Sequence, residues 1–166
     1  MIFEIDVSGP DILEKDYTIV IAEKNNASLL AGYKFSENII QRIMKNFWQN
    51  CYRYNRSKKG KSNLRLRLYC IAIYYIFREL KKRIKNQTIS LEVCRDFAGK
   101  EDQIKQNLEH FLGKLLGLDI QIVFLKLPSD SVADTYAYLF RKYYRNQFSK
   151  YLVSIGLEDF ELFLKK

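Results

Sequence analysis

The chain of 166 residues is poor in amino acids that break or cross-link a polypeptide: two prolines, seven glycines, three cysteines and one histidine. Little of it can be flexible linker, so we expect a single domain spanning residues 1–166. Its separated cysteines and lone histidine cannot form a clustered zinc site. The odd number of cysteines favours a reducing compartment. The longest uncharged apolar run, Leu68–Phe77, has ten residues, whereas a membrane-spanning helix needs roughly 20. We therefore expect a cytoplasmic protein without a membrane segment.

Acidic residues are absent from one long stretch. Between Asn38 and Arg78 there is no aspartate or glutamate, but there are ten lysines and arginines. The rest of the chain has 18 cations and 19 anions, so this stretch accounts for the whole formal charge of +9. Such a segment favours a polyanionic partner, most often nucleic acid, although a solvated surface would have the same composition. The cations expected to bind phosphates are those at 53–67: Arg53, Arg56, Lys58, Lys59, Lys61, Arg65 and Arg67.

Apolar patterns predict a mixture of strands and helices. Hydrophobic residues make up 48% of the chain, which is ample for a core. The expected strands are 2–7, 17–23, 27–35, 88–94 and 119–126. The expected helices are 36–52, 64–85, 100–116, about 130–150 and a short one within 151–166, with a polar loop at 53–63. Ser36 is the expected cap of the first helix, and Ser129 or Asp130 that of the helix near residue 130.

The order of these elements predicts an α/β fold. The first three strands are close enough in sequence to form an antiparallel meander. The later alternation of strand, helix, strand and helix implies parallel pairing. The expected architecture is therefore a mixed five-stranded sheet with helices on its faces, in the order β-β-β-α-α-β-α-β-α. The two helices at about 36–86 form a basic insertion in this order.

Four acidic residues lie where a carboxylate is costly or repelled. Asp6 and Glu92 are inside apolar strands, and Asp130 and Asp134 are four residues apart at the start of a helix. If the first strand pairs with the Glu92 strand, all four lie at the carboxyl edge of the sheet. Oxygen ligands suit Mg²⁺ or Mn²⁺, and two such ions can promote phosphodiester cleavage. The predicted metal ligands and catalytic residues are therefore Asp6, Glu92, Asp130 and Asp134.

Each acid also has a simpler interpretation. Asp130 alone would suit a helix cap, Glu92 alone could pair with Arg95 or Lys126, and Asp6 alone could be an acid of an edge strand. Asp96 falls on the same strand face as Glu92 if alternation continues. A salt bridge is the simpler role for Asp96, and an additional metal ligand is the alternative. Only the joint occurrence of the acids favours a metal site.

The segments FEIDVSG, ISLEV and DSVADTYAYL contain Asp6, Glu92 and Asp134. They resemble the ribonuclease H-like superfamily, especially its RuvC-like nuclease branch, over about residues 2–150. The resemblance implies a five-stranded mixed sheet, two-metal cleavage of nucleic acid, and metal ligation by these three acids with Asp130 as the second helix acid. The helix acids here are four residues apart, where the RuvC-like pattern often has three. The stretch CRDFAGKEDQIKQNLEHFLG also resembles uncharacterised archaeal proteins.

Three functions follow as hypotheses. The first is a Mg²⁺- or Mn²⁺-dependent nuclease acting on DNA or RNA, and the second is a catalytically inactive nucleic-acid-binding module of the same fold. The third is a protein-interaction domain that forms a homodimer through the apolar helix at 64–86. The aromatic and basic run at 136–148 could stack bases, although aromatic residues at helical spacing are more typical of a core.

Overall fold

Five strands form one mixed sheet in the computed structural model, which describes residues 1–84 and 88–166. The strands are β1 (Ile2–Ser8), β2 (Thr18–Glu23), β3 (Ser28–Lys34), β4 (Ile89–Cys94) and β5 (Ile120–Leu125). Their order across the sheet is β3-β2-β1-β4-β5. β2 is antiparallel to both β1 and β3, whereas β4 is parallel to β1 and β5 is parallel to β4. The predicted α/β class and mixed five-stranded sheet are confirmed.

Within the described residues, five α-helices accompany the sheet: α1 (Glu37–Trp48), α2 (Lys58–Leu80), α3 (Glu101–Leu108), α4 (Val132–Tyr143) and α5 (Leu157–Leu164). A π-helical stretch, Glu109–Leu115, continues α3. The Ser36 Oγ accepts the Ile39 N–H at 3.2 Å, as expected of the cap of α1. The order matches the predicted one, with the short helix expected near the carboxyl end present as α5.

Several predicted helix boundaries were wrong, including the end of the first helix, which was expected at residue 52 and lies at Trp48; local hydrogen bonds explain two of the others. Part of the predicted loop at 53–63 is helical, because the Ser57 Oγ accepts the Gly60 N–H at 3.0 Å and starts α2 at Lys58. Ser131, rather than Ser129 or Asp130, caps α4. α4 ends at Tyr143, well before residue 150, and is followed by turns. The end predicted for the second helix, Lys85, lies outside the described residues, and α2 itself ends at Leu80.

The buried helix α2 covers one face of the sheet. It packs against β2, β3, α3 and α5. Its central side chains, including Leu68, Ile71 and Ile76, have no solvent exposure. The predicted burial of this helix is confirmed. Since its own chain already covers these side chains, α2 does not offer the apolar surface that the dimerisation hypothesis requires.

The opposite face of the sheet has a smaller core under α4. Phe3 and Ile5 belong to the larger core on the α2 side, and α4 packs across β1, β2 and β3 on the other side. Successive side chains of a strand point to opposite faces, so Glu4 and Asp6 lie on the face that α4 covers. Both acids are almost completely buried, with exposed fractions of 3% and 4%. No helix within residues 1–84 and 88–166 has the length and apolar character that a membrane crossing requires.

The connection after β1 depends on one glycine. Gly9 has φ of +126°, which side-chain-bearing residues rarely adopt. A Cβ atom at this position would lie 2.3 Å from the Asp16 carbonyl oxygen. Gly9 therefore lets the chain leave β1 closely packed against the start of β2, beside the carboxyl end of β1.

Candidate functional site

Asp6, Cys94 and Asp96 form an acidic cluster at the carboxyl ends of β1 and β4. One ligand atom from each, a carboxylate oxygen or the Sγ, lies within 4.8 Å of the others. The parallel pairing of β1 with β4 creates this group, because Ile5 lies opposite Val93, and Asp6 and Cys94 are the residues that directly follow these two. Asp96 follows two residues after the end of β4. The cluster thus combines the end of a central strand with the loop of its parallel neighbour.

The Asp6 carboxyl is the most perturbed acid of the cluster. Its pKa is raised from the ordinary value of 3.8 to about 6, chiefly by burial; the charges of Asp96 and Asp134 act in the same direction, and a backbone hydrogen bond acts against them. This hydrogen bond comes from the Val7 N–H, which donates to the Asp6 Oδ1 at 2.8 Å. An ionised Asp6 therefore lacks a nearby compensating cation among these partners. A divalent cation would supply that compensation.

The other two members differ in chemistry. Burial also raises the pKa of the Asp96 carboxyl, although Asp96 as a residue is exposed at the rim. Burial raises the pKa of the Cys94 thiol to about 12, and the nearby Asp6 and Asp96 add to this rise. Cys94 is therefore a protonated thiol at neutral pH, and not the thiolate that binds soft metals. The two carboxylates are the hard donors of the cluster.

Glu92 lies away from the cluster. The strand register places it opposite Glu4, two residues before Asp6 on β1 and two before Cys94 on β4. Its two carboxylate oxygens accept hydrogen bonds from the Lys24 Nζ at 2.9 and 2.7 Å. Glu4 also has a hydrogen-bond partner, since its Oε2 accepts the Ala133 N–H at 3.0 Å, in the first turn of α4. The structure therefore places Glu92 in an ion pair and does not bring it together with Asp6.

The two predicted acids of the last helix have separate positions. Asp134 is half-buried in the first turn of α4, and its charge is close enough to raise the pKa of Asp6. Asp130 lies in the exposed turn before the helix. The Asp134 N–H donates to the Ser131 Oγ at 3.1 Å, so Ser131 has the capping role that the sequence offered to Asp130. The structure brings Asp134 towards the cluster and leaves Asp130 in solvent.

A cavity of about 290 Å³ opens beside Asp96. Arg65 of α2 and Asp11 of the loop after β1 line the same cavity. The Arg65 Nε lies 3.0 Å from both oxygens of Asp11. One guanidinium is therefore held at the edge of a space that adjoins the acidic cluster.

A buried hydroxyl lies close to this cavity. Tyr69, one helical turn after Arg65, is fully buried. Its hydroxyl has no hydrogen-bond partner within residues 1–84 and 88–166. Burial raises the Tyr69 pKa, with further contributions from Tyr17 and Asp96. The Tyr69 hydroxyl is thus a buried polar group, without a hydrogen-bond partner in the described part of the chain, near Asp96.

The predicted phosphate-binding cations differ in exposure. Arg53, Arg56, Lys58 and Lys59 are exposed, and Lys61 and Arg65 are half-buried. The side chain of Arg53 donates to the Lys165 carbonyl at 3.1 Å, and that of Arg56 donates to the Trp48 carbonyl at 3.3 Å. On α2, the spacing of Lys58, Lys61 and Arg65 places them along one side of the helix. This side of α2 leads towards the cavity beside Asp96.

Arg67 is turned into the protein. It donates to the Asn107 Oδ1, and its guanidinium carbon lies 4.6 Å from the centre of the Phe111 ring. Burial lowers the pKa of Arg67. Its position between α2 and the α3 region indicates a packing role instead of a phosphate contact.

Sequence reasoning overlooked Cys94 and gave Asp96 only a secondary role. The available signal was the alternation of Glu92, Cys94 and Asp96 on one face of a single predicted strand. Which of them lies beside Asp6 depends on the register between β1 and β4, and this register cannot be deduced from the sequence pattern of either strand. In comparisons with known proteins, no protein-family model, curated protein or solved structure matches this chain.

Proposed function

We propose that the chain is a metal-dependent phosphodiester hydrolase of the ribonuclease H-like type, acting on nucleic acid. The sheet order β3-β2-β1-β4-β5, with only β2 reversed, supports this fold assignment. So does the distribution of acids: Asp6 on β1, Asp96 after β4 and Asp134 on the helix after β5. The observation that supports the activity best is the close approach of the Asp6 and Asp96 oxygens beside a cavity.

Asp6 and Asp96 would hold Mg²⁺ or Mn²⁺, with Asp134 near enough to contribute. Their carboxylates fit these ions, because hard divalent cations prefer oxygen ligands. The raised pKa of Asp6 fits as well, since a bound cation would favour its ionised form. Such an ion supplies charge stabilisation and activates water for attack on a phosphodiester. Glu92 and Asp130 are left out of this ligand set, because one is paired with Lys24 and the other lies in an exposed turn.

The basic side of α2 would bind the phosphate backbone. Lys58, Lys61 and Arg65 lie along one side of this helix, and Arg65 reaches the cavity beside Asp96. Contacts of this kind position a nucleic acid without reading its sequence. Their contribution to affinity decreases steeply as salt concentration rises.

Asp96→Asn and Glu92→Gln form a matched pair for testing this assignment. Each change replaces one carboxylate by an amide. Glu92 lies on β4, and Asp96 lies just after the end of the same strand. Cleavage of labelled DNA and RNA with Mg²⁺ or Mn²⁺ should decrease by about 100-fold or more in the Asp96 variant, since even residues behind a metal ligand affect activity by 10- to 100-fold. The Glu92 variant should keep its activity. Equal activity of the Asp96 variant and the unchanged protein would disprove the ligand assignment.

A second candidate function is nucleic-acid binding without cleavage. Its specific support is that the position beside Asp6 is a protonated cysteine and that the strand acid Glu92 is bound to Lys24. Two carboxylates with a third nearby would then be too few for two ions. Salt-dependent binding of DNA or RNA, without cleavage under either divalent ion, would favour this function over hydrolysis.

A further inference from the structure

The solvent side of α4 presents aromatic rings. Ala133, Ala137 and Phe140 form the buried side of this helix. Tyr138 and Tyr143 are exposed to 50% and 38%, unlike the buried aromatic side chains of the core. These two tyrosines therefore contribute little to the core, although their spacing along the helix had suggested packing.

Positive charge accompanies these rings. Residues 135–157 include no aspartate or glutamate, and their four cations are Arg141, Lys142, Arg145 and Lys150. The Lys142 Nζ lies 5.7 Å from the centre of the Tyr138 ring and also 5.7 Å from that of Tyr143. The Lys142 side chain thus places a charge between the two exposed rings. This charge favours a partner that is both anionic and flat.

We propose that Tyr138, Lys142 and Tyr143, named here the α4 strip, bind single-stranded nucleic acid. Unpaired bases have free faces that can stack on tyrosine, and their phosphates can approach the lysine. The bases of a duplex are already stacked on one another. The phosphates of a duplex can therefore contact the lysine, but its bases cannot stack on the tyrosine rings. The combination of exposed rings and cations therefore selects the single strand.

The α4 strip begins next to the acidic cluster. Asp134 and Tyr138 are four residues apart on α4, so they lie on neighbouring turns of the same side of the helix. One turn of an α-helix rises about 5.4 Å. A nucleic-acid strand whose base stacks on Tyr138 therefore passes close to Asp134, which itself lies near Asp6. This orientation rests on the proposed function, whereas binding to the strip does not require cleavage.

The test measures the affinity of labelled oligonucleotides by fluorescence anisotropy in EDTA, where metal-dependent cleavage cannot occur. The double variant Tyr138→Ala/Tyr143→Ala should bind single-stranded DNA or RNA about 5- to 150-fold more weakly for each stacked base that it loses. The matched variant Tyr138→Phe/Tyr143→Phe keeps both rings and should bind normally. Leu162→Ala changes another exposed side chain, 71% accessible on α5, and should also bind normally.

Lys142→Ala provides a second measurement that does not depend on the rings. It should reduce the slope of log affinity against log salt by about 1. Unchanged single-strand affinity in the double alanine variant, with its fold verified by circular dichroism, would overturn the inference. Equal affinity for duplex and single strand would overturn it too. If strip variants lose binding but the unchanged protein cleaves nothing with Mg²⁺ or Mn²⁺, the inference stands and the proposed hydrolysis fails.

Discussion

Replacing Asp6 by asparagine should stabilise the metal-free protein. The Asp6 carboxyl is 4% exposed, and its pKa is about 6 in the folded protein against an ordinary value of 3.8. Since the folded state disfavours ionisation, the ionised carboxylate destabilises the fold at neutral pH. This penalty is absent below about pH 4, grows as the pH rises from about 4 to 6, where the unfolded state is ionised and the folded state is not, and is complete above 6.

The size of the stabilisation by Asp6→Asn follows from the change in the pKa of Asp6 between the unfolded and folded states. A difference of about two pKa units, at 1.36 kcal/mol each, corresponds to about 3 kcal/mol as an upper value. Asparagine removes the charge, and its Oδ1 can still accept the Val7 N–H. Asp6→Asn should therefore raise the free energy of unfolding at pH 7.5 by up to about 3 kcal/mol, and by much less at pH 4.

Urea denaturation in EDTA at several pH values measures this difference directly. Repeating the series with Mn²⁺ should stabilise the unchanged protein and leave the Asp6→Asn variant nearly unaffected, because binding to the folded state alone raises stability. A variant that is no more stable than the unchanged protein at pH 7.5 would refute the electrostatic reasoning. A gain of the same size at pH 4 and pH 7.5 would show that the effect is not caused by ionisation.

The remaining predictions concern stability and metal binding. Ser131→Ala removes the cap of α4 and should lower the free energy of unfolding by about 1 kcal/mol in urea titrations. Gly9→Ala should lower it by about 3 kcal/mol or more, because the added Cβ would lie 2.3 Å from the Asp16 carbonyl oxygen; a normal melting temperature would contradict this. Glu92→Gln breaks a partly exposed pair with Lys24 and should cost less than about 1 kcal/mol, with Mn²⁺ affinity by calorimetry unchanged.

Most elements could be predicted because their signals are local. The strand at Ile2–Ser8 ends at a glycine and a proline, and α1 begins at a serine that caps it. α2 was predicted six residues too short at its start, because its first turn contains glycine and many cations and resembles a loop in composition. The Ser57 cap was visible in the sequence but was outweighed by this composition.

The acidic site could be predicted only in part. Asp6 stood out as a carboxylate inside an apolar strand, and Asp134 as an acid in the first turn of a helix. Glu92 had the same kind of signal as Asp6, yet Lys24 neutralises it in the structure. Lys24 is 68 residues away along the chain, so its position relative to Glu92 depends on how β2, β1 and β4 pair.

The α/β class, the concentration of positive charge in one quarter of the chain and the burial of α2 could all be read from the amino-acid sequence, because composition and periodicity are local properties. Which acids share a site depends on contacts between distant parts of the chain. The β1–β4 pairing places Asp6 close to Cys94 and Asp96, and places Glu92 two residues earlier, opposite Glu4. A shift of register moves side chains by several ångströms without changing the pattern of either strand. For this reason the chemistry of the site depends on a long-range pairing that neither strand encodes alone.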